Sequence, residues 1–189
     1  MSEVEIKLLN SLEEQIAVQF TGKVNVLSKF NRQYMGHILF KDGEIIQVIF
    51  QELKGLKAFY KLVIEEFSLQ SYSYVVEPEV VEERDRQIHY PYAVIRNRVA
   101  GVLKQYRNSI KFRPPENVKI VANAEFLDDT VPVTYQEFEV LKTLTEWSKT
   151  FDIYQHCPLL DHEITIALVG LRKKGGLKII AHNNTDDSF

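Results

Sequence analysis

The sequence predicts an α+β protein in two parts, an antiparallel sheet with helices followed by a small helical unit. Three observations support this prediction. The pair Asp42-Gly43 lies between two apolar runs and is the strongest short-range signature of a two-residue hairpin, because both residues tolerate positive φ. A helical spacing of apolar residues follows this hairpin directly. Three short helical patterns and a final strand pattern then begin at Thr134, after a polar stretch.

Composition narrows the class of protein. The chain has 189 residues, of which 45% are hydrophobic, and a net charge of −3, so it is globular and its overall charge favours neither nucleic acid nor membrane. The single cysteine, Cys157, excludes an intrachain disulfide and fits a reducing compartment. No apolar run approaches the ~20 residues of a membrane span, and the acidic N-terminus lacks a signal peptide's basic start. We expect a cytoplasmic protein without membrane insertion.

The first part is predicted to contain two helices and four strands. The helices are expected over 3–16 and 53–67, and the strands over 18–28, 34–40, 44–50 and 71–77. In the second hairpin strand, alternation places Ile46, Val48 and Phe50 on one face and Ile45, Gln47 and Ile49 on the other. Both faces are largely apolar, so one is expected to cover the core and the other a helix or a second subunit.

A third helix is predicted to begin at Pro91, which is favoured at a first helical position, and to run to residue 107. Its apolar residues alternate in spacing between three and four, which is typical of a coiled-coil seam. The seam consists of Tyr92, Ile95, Val99, Val102 and Tyr106. It is expected to pack in the core or against a twin helix, and together with the doubly apolar strand it motivates the prediction of a homodimer.

The predicted domains are a first domain over 1–113 with its core at 3–77, a linker over 114–133 with a short strand candidate over 118–122, a second domain over 134–182 and a flexible tail over 183–189. In the second domain, Thr134 and Glu137 have the spacing of a capping box. The helix that follows carries Phe138, Leu141, Leu144 and Trp147, and a short helix covers 151–157. Asp161 is expected to cap a third helix with Ile164, Ala167, Leu168 and Leu171 inward, before Gly175-Gly176 and a strand over 177–180. This order resembles a winged helix.

The stretch 84–113 holds eight Lys or Arg residues and one acidic residue, in a chain whose net charge is negative. The candidate partner-binding residues within it are Arg84, Arg86, Arg96, Lys104, Arg107 and Lys111. They are expected to meet an acidic partner or phosphates. The alternative is a solvated basic face balanced by the acidic residues at 77–83.

The sequence predicts no catalytic activity and no cofactor or metal site. The chain has no nucleophile elbow, phosphate loop, zinc-protease motif or dinucleotide glycine pattern, so we expect no enzymatic activity, no catalytic residues and no cofactor. A zinc site at His156, Cys157 and His162, with Asp161 or Glu163, would lack the usual paired ligand spacing, so no metal is expected.

The sequence disfavours nucleic acid binding by the second domain. A recognition helix needs basic or amide side chains near its start, whereas this one begins with Asp161, His162 and Glu163. The basic run 172–174 lies at the other end, where it complements the helix dipole.

A family resemblance adds to this reading. Its pattern is Thr21-Gly22, then Gly36-x-Ile38-x-Phe40-x-Asp42-Gly43-x-Ile45, then Gly55-x-x-Ala58, Tyr72 and Tyr74. In these residues the chain resembles the PATAN domain, although Val48 stands near the place where that family has a small residue and the leading segment is short. The resemblance covers 3–77 and implies a bacterial signalling or scaffolding module that binds other proteins and accompanies motility or pilus control.

We therefore expect a bacterial signalling or scaffold adaptor, acting through protein–protein interaction in motility, pilus or polarity regulation. The alternative is a DNA-binding regulator that uses the winged helix and the basic stretch 84–113. A third reading is a ligand or nucleotide sensor.

Overall fold

The computed structural model describes residues 6–128 and 131–180, and these form two compact units that divide between Lys104 and Gln105. The first unit contains α1 (Lys7–Ala17), β1 (Gly22–Ser28), β2 (Tyr34–Lys41), β3 (Glu44–Phe50), β4 (Leu53–Lys54), α2 (Gly55–Leu69) and β5 (Tyr72–Pro78). A 3-10 turn (Glu83–Asp85) follows, and then α3 (Tyr92–Ile110), whose last turns belong to the second unit. The predicted α+β class is confirmed.

The sheet of the first unit is antiparallel throughout, with strand order β4-β3-β2-β1-β5. Its core face is apolar and is closed to solvent along most of β1, β2 and β3, and α2 contacts it along β3. The fully buried residues of this face are Val24, Val26, Ile38, Phe40, Val48 and Phe50. Burial of this face supplies the main hydrophobic stabilisation of the unit.

The predicted hairpin turn is present between β2 and β3. Asp42 and Gly43 both have positive φ, at 49° and 79°, as a type I′ turn requires. The Thr21 hydroxyl accepts a hydrogen bond from the Asp42 amide at 2.9 Å and donates to Asp42 Oδ1 at 3.3 Å. The Gly43 amide donates to the Phe20 carbonyl at 3.0 Å. The segment that enters β1 therefore holds the turn in place.

A β-bulge in β3 corrects the predicted division of its two faces. Leu39 pairs with Gln47 and the next residue, Phe40, pairs with Ile45, so Ile46 is the extra residue. Ile46 packs with Leu39 and Val81 rather than alongside Val48 and Phe50. The expectation that Ile46 shares a face with Val48 is wrong, because the bulge interrupts the alternation on which it relied.

The chain itself covers the second face of β3 around this bulge. The amides of Gln87 and Ile88 both donate to the Ile46 carbonyl, at 2.7 and 2.9 Å. The Gln47 side chain donates to the Asp85 carbonyl at 3.1 Å. This apolar strand therefore needs no second subunit to cover Ile46.

The predicted seam of α3 is buried within one chain. Ile95 and Val99 are 1% and 2% exposed, and Tyr106 is buried as well, while Tyr92 and Val102 are half-buried. The Tyr92 hydroxyl donates to Glu13 of α1 at 3.2 Å. Leu103, which the sequence analysis did not assign to the seam, is also buried. The core alternative for this seam is thus the one that the structure favours.

The second unit begins earlier than the sequence predicted. It contains β6 (Lys119–Ala122), α4 (Ala124–Asp128), α5 (Tyr135–Thr143), α6 (Thr150–His156), α7 (Asp161–Lys173) and β7 (Leu177–Ile180). β6 lies inside the predicted linker but pairs antiparallel with β7, with Ile120 opposite Ile179. The stretch assigned as a linker therefore supplies a strand of this unit.

Local helix signals in the second unit are partly as predicted. The capping box is present: the Glu137 amide donates to Thr134 Oγ1 at 3.2 Å, and the Thr134 amide donates to Glu137 Oε2 at 2.7 Å. The predicted inward residues of α7 are all buried. Asp161, however, is the first helical residue and not the cap; the residue at the cap is Leu160, whose amide donates to Glu163 at 2.9 Å.

The apolar residues predicted along the helix after Thr134 are not all buried. Phe138 is 54% exposed and Trp147, beyond the helix, is 36% exposed, whereas Val140 is fully buried. Val140 belongs to the core of this unit together with Ile153 and Ile164.

Loss of the Thr21 hydroxyl should destabilise the hairpin turn. Thr21→Val keeps the shape of the side chain and removes two hydrogen bonds, so we expect the free energy of unfolding to fall by about 1–2 kcal/mol. Urea denaturation followed by circular dichroism measures this change. Thr21→Ser retains the hydroxyl and should stay within about 0.5 kcal/mol of wild type. Equal losses for both variants would show that the turn does not depend on this hydroxyl.

A charge in the α3 seam should destabilise a single chain, whatever the protein concentration. We expect Val99→Glu to lower the free energy of unfolding by at least about 3 kcal/mol, because it places an unpaired carboxylate in the core. Val94→Glu, at an exposed position of the same helix, is the matched control and should have a small effect. Thermal unfolding of wild type at several concentrations completes the test. A midpoint that rises with concentration would indicate an intersubunit seam.

Candidate binding groove

Three of the six candidate basic residues are neutralised by carboxylates of the first unit. The pairs are Arg84–Glu82 at 2.7 Å, Arg86–Glu44 at 3.0 Å and Arg96–Glu13 at 3.5 Å. Arg86 also pairs with Glu83, and hydrogen bonds from Arg86 and Lys41 lower the pKa of the Glu83 carboxyl to about 2. The basic stretch is therefore balanced by neighbouring acids at these positions.

The other three candidates, Lys104, Arg107 and Lys111, have exposed side chains. The Lys111 ammonium lies 5.0 Å from the centroid of the Phe112 ring, a cation–π distance. Lys111 is the candidate that the structure places at a concave surface, a groove in the second unit.

This groove has a volume of about 670 Å³ and lies within the second unit. Four segments form it: residues 111–115, β6, the C-terminal half of α7, and β7. Its apolar lining includes Phe112, Val118, Ile120, Leu168, Leu177 and Ile179. Phe112 and Ile179 are 57% and 48% exposed, so the apolar surface is open to solvent. The volume falls within the range of ordinary ligand-binding clefts.

Positive charge surrounds this apolar surface. Lys111, Arg113, Arg172 and Lys173 line the groove, and among residues 6–126 and 131–180 no Asp or Glu does. Arg113 is paired with Asp161 at 2.8 Å. Lys111, Arg172 and Lys173 form no ion pair with residues 6–128 or 131–180. The groove therefore carries three cations whose charge the described part of the chain does not balance.

Arg113 is a fixed wall of the groove. Its guanidinium carbon lies 4.0 Å from the centroid of the Tyr154 ring, which is stacking distance. The Tyr154 hydroxyl lies 2.6 Å from Thr165 Oγ1, and Thr165 in turn donates to the Asp161 carbonyl at 2.8 Å. Arg113 is thus held by a charge, a ring and a buried hydrogen-bond chain.

The outer edge of β7 presents backbone groups beside the groove. The Ile120 amide donates to the Ser148 carbonyl at 2.7 Å, away from β7. Ile120 and Ile179 are therefore a non-hydrogen-bonded pair, and the N–H and C=O of Ile179 and Leu177 point away from β6. No other described strand pairs with this edge.

The residues considered as zinc ligands, His156, Cys157 and His162, lie in different surroundings in the structure. His156 stacks on Trp147 with ring centroids 4.1 Å apart, and Cys157 is buried in the core of the second unit. His162 is buried, and burial lowers the pKa of its imidazole. Within residues 6–128 and 131–180, no group of three or more His, Cys, Asp or Glu side chains is placed to hold a metal ion.

The first two residues of α7 are buried. Asp161 and His162 are 8% and 4% exposed, so neither side chain is presented to a large partner at that end of the helix. A recognition helix would have to expose this turn to reach base edges.

In the described ranges, no helix is both long and apolar enough to cross a membrane.

Sequence reasoning found Lys111 but missed the groove as a site. Arg172 and Lys173 were visible as a basic run, which was assigned to the helix dipole alone. The signal that could have found the site is the combination of this run with the apolar strand over 177–180, but only tertiary packing brings both to residues 111–115.

Ionisation of Tyr154 should weaken the second unit at alkaline pH. Burial raises the pKa of the Tyr154 phenol to about 12, above the value of about 10 expected in the unfolded chain. The stabilisation is fully present below about pH 10 and is lost as the pH rises through about 12. We expect the free energy of unfolding to fall less steeply over this interval in Tyr154→Phe than in wild type. Urea denaturation at stepped pH measures the two slopes, and equal slopes in the two proteins would contradict the prediction.

Comparison of the chain with protein-family models, with curated proteins and with solved structures gives no match in any of the three. The function therefore has to be argued from the groove and from the chain's own residues.

Proposed function

We propose that this protein is a non-enzymatic cytoplasmic adaptor that binds another protein through the groove of its second unit. The observation that carries the proposal is the combination of an open apolar lining with three unbalanced cations and no carboxylate among the described lining residues. Exposed apolar surface of this kind is typical of protein-binding grooves. The cations add a preference for acidic partners, because unbalanced charge at an interface mainly sets specificity and association rate.

The family resemblance supports an adaptor in signalling or scaffolding, in motility, pilus or polarity regulation. The residues that carry it have structural tasks in this chain. Thr21 and Asp42 bond to each other in the turn, and a Cβ at Gly36 would lie 2.1 Å from the Ile49 carbonyl oxygen. A pattern built from turn and close-packing residues supports a shared PATAN-like scaffold, which carries binding surfaces rather than a reaction.

The homodimer has less support than it had from the sequence. Its two motives were the second face of β3 and the α3 seam, and the chain itself covers Ile46 in the first and Ile95 and Val99 in the second. DNA binding is likewise less supported, because the start of α7 is buried and three of the candidate arginines are paired with carboxylates.

Affinity capture tests the adaptor. The tagged full chain is incubated with cytoplasm of its own source, treated with nuclease, crosslinked and analysed by mass spectrometry. We expect Phe112→Asp to reduce recovery of a specific protein at least about fivefold, because exposed aromatic anchors contribute on the order of 1–2 kcal/mol to binding. Phe30→Asp is the matched control, since Phe30 is a 97% exposed aromatic residue of the first unit.

The outcomes separate the alternatives. Loss of the captured protein with Phe112→Asp, together with its retention with Phe30→Asp, would support an adaptor that uses the groove. Loss with Phe30→Asp alone moves the binding surface to the first unit. Material that disappears on nuclease treatment would contradict the adaptor and support the DNA-binding regulator, whose affinity should also fall steeply with salt.

A further inference from the structure

We propose that the groove binds an extended acidic segment of the partner, with a short apolar centre flanked by Asp or Glu, which adds as a strand to the outer edge of β7. This inference rests on the proposed adaptor function and specifies the chemistry of its partner. It has three parts, which concern charge, apolar surface and backbone.

The three cations of the groove favour a bound segment whose ends are negatively charged. Lys111 lies on one wall of the groove, and Arg172 and Lys173 lie on the last turn of α7. Because the described lining contains no carboxylate and these three cations form no ion pair with described residues, they lower the energy of any anionic group that approaches. A neutral or basic segment would leave them unbalanced and partly desolvated.

The apolar lining fixes the occupant's centre. Side chains of β7 that line the groove are Leu177 and Ile179, which share one face of the strand, whereas Lys178 points to the other face. A strand added beside β7 would place its own alternate residues on the same face as Leu177 and Ile179. Those residues have to be apolar to cover this surface.

The backbone edge distinguishes a peptide from other anions. Leu177 and Ile179 direct their N–H and C=O groups outward in the repeating pattern that an antiparallel strand matches. An anionic lipid headgroup or a nucleotide could pair with the cations but would leave these donors and acceptors without partners. Among the described lining residues, Phe112 is the one exposed aromatic side chain, which is a small platform for stacked bases. A polypeptide therefore satisfies all three features at once.

Fluorescence anisotropy with the full chain tests the inference. The probe is a labelled synthetic peptide with five alternating Val and Thr residues between two pairs of Asp. We expect saturable binding that weakens about tenfold or more when the four Asp are replaced by Asn. Methylation of alternate backbone nitrogens in the probe, which removes strand hydrogen bonds and leaves the charge intact, should also weaken binding at least about fivefold.

Matched protein variants locate the binding. Lys111→Glu with Lys173→Glu reverses two groove cations and should weaken binding roughly tenfold. Lys7→Glu with Lys54→Glu makes the same change in net charge at two exposed positions of the first unit and should leave the affinity within about twofold. Circular dichroism of both variants confirms that they fold. Equal weakening in the two double variants would reveal only general electrostatic attraction and would overturn the inference.

Three further outcomes would overturn it: absence of saturable peptide binding, binding of the Asn peptide as tight as that of the Asp peptide, or preference for single-stranded DNA or anionic vesicles at equal charge. These failures are distinguishable from failure of the adaptor itself. If affinity capture recovers a specific protein in a Phe112-dependent manner while the peptide does not bind, the adaptor stands and the acidic strand is rejected.

Discussion

The bond between Thr21 and the turn at Asp42-Gly43 is the constraint on which the first unit depends. Positive φ at both turn residues sets the register of β2 against β3, and Thr21 ties that register to the start of β1. Two residues into β3, the bulge at Ile46 then turns an apolar side chain to the second face. Residues 81–88 cover it there, which also positions the chain for the start of α3. A single local turn thereby determines which surfaces of the sheet remain open.

The features that the sequence predicted are those with local causes. The hairpin turn, the Thr134 capping box and the inward residues of α7 each depend on neighbours within a few positions, and all are present. The bulge at Ile46 could not be predicted from the sequence of β3, because a bulge is defined only by the pairing of two strands. Exposure of Phe138 escaped because helical spacing indicates which residues share a face, not which face is covered. The groove escaped because its four segments are distant in sequence and meet only by packing.

Charge in this protein has to be assessed by pairing rather than by counting. The stretch 84–113 has the greatest excess of basic residues, yet Arg84, Arg86 and Arg96 have carboxylates within 3.5 Å and so exert little field on a distant partner. Arg172 and Lys173 belong to a unit with a less basic composition but remain unbalanced in the described structure. The ability to attract an anion therefore lies where the count of charges is smaller.

The same cations would oppose self-association through the open apolar groove beside this strand edge. An exposed strand edge next to aliphatic side chains is a template for pairing with another copy, and proteins commonly block such edges with lysine. If two copies met groove to groove through β7, Lys111, Arg172 and Lys173 of each would face the same cations of the other. Like charges brought together in a desolvated interface are strongly unfavourable. The arrangement that would repel a second copy is the one that favours the proposed acidic segment, so selectivity against self and affinity for that segment would have one physical origin.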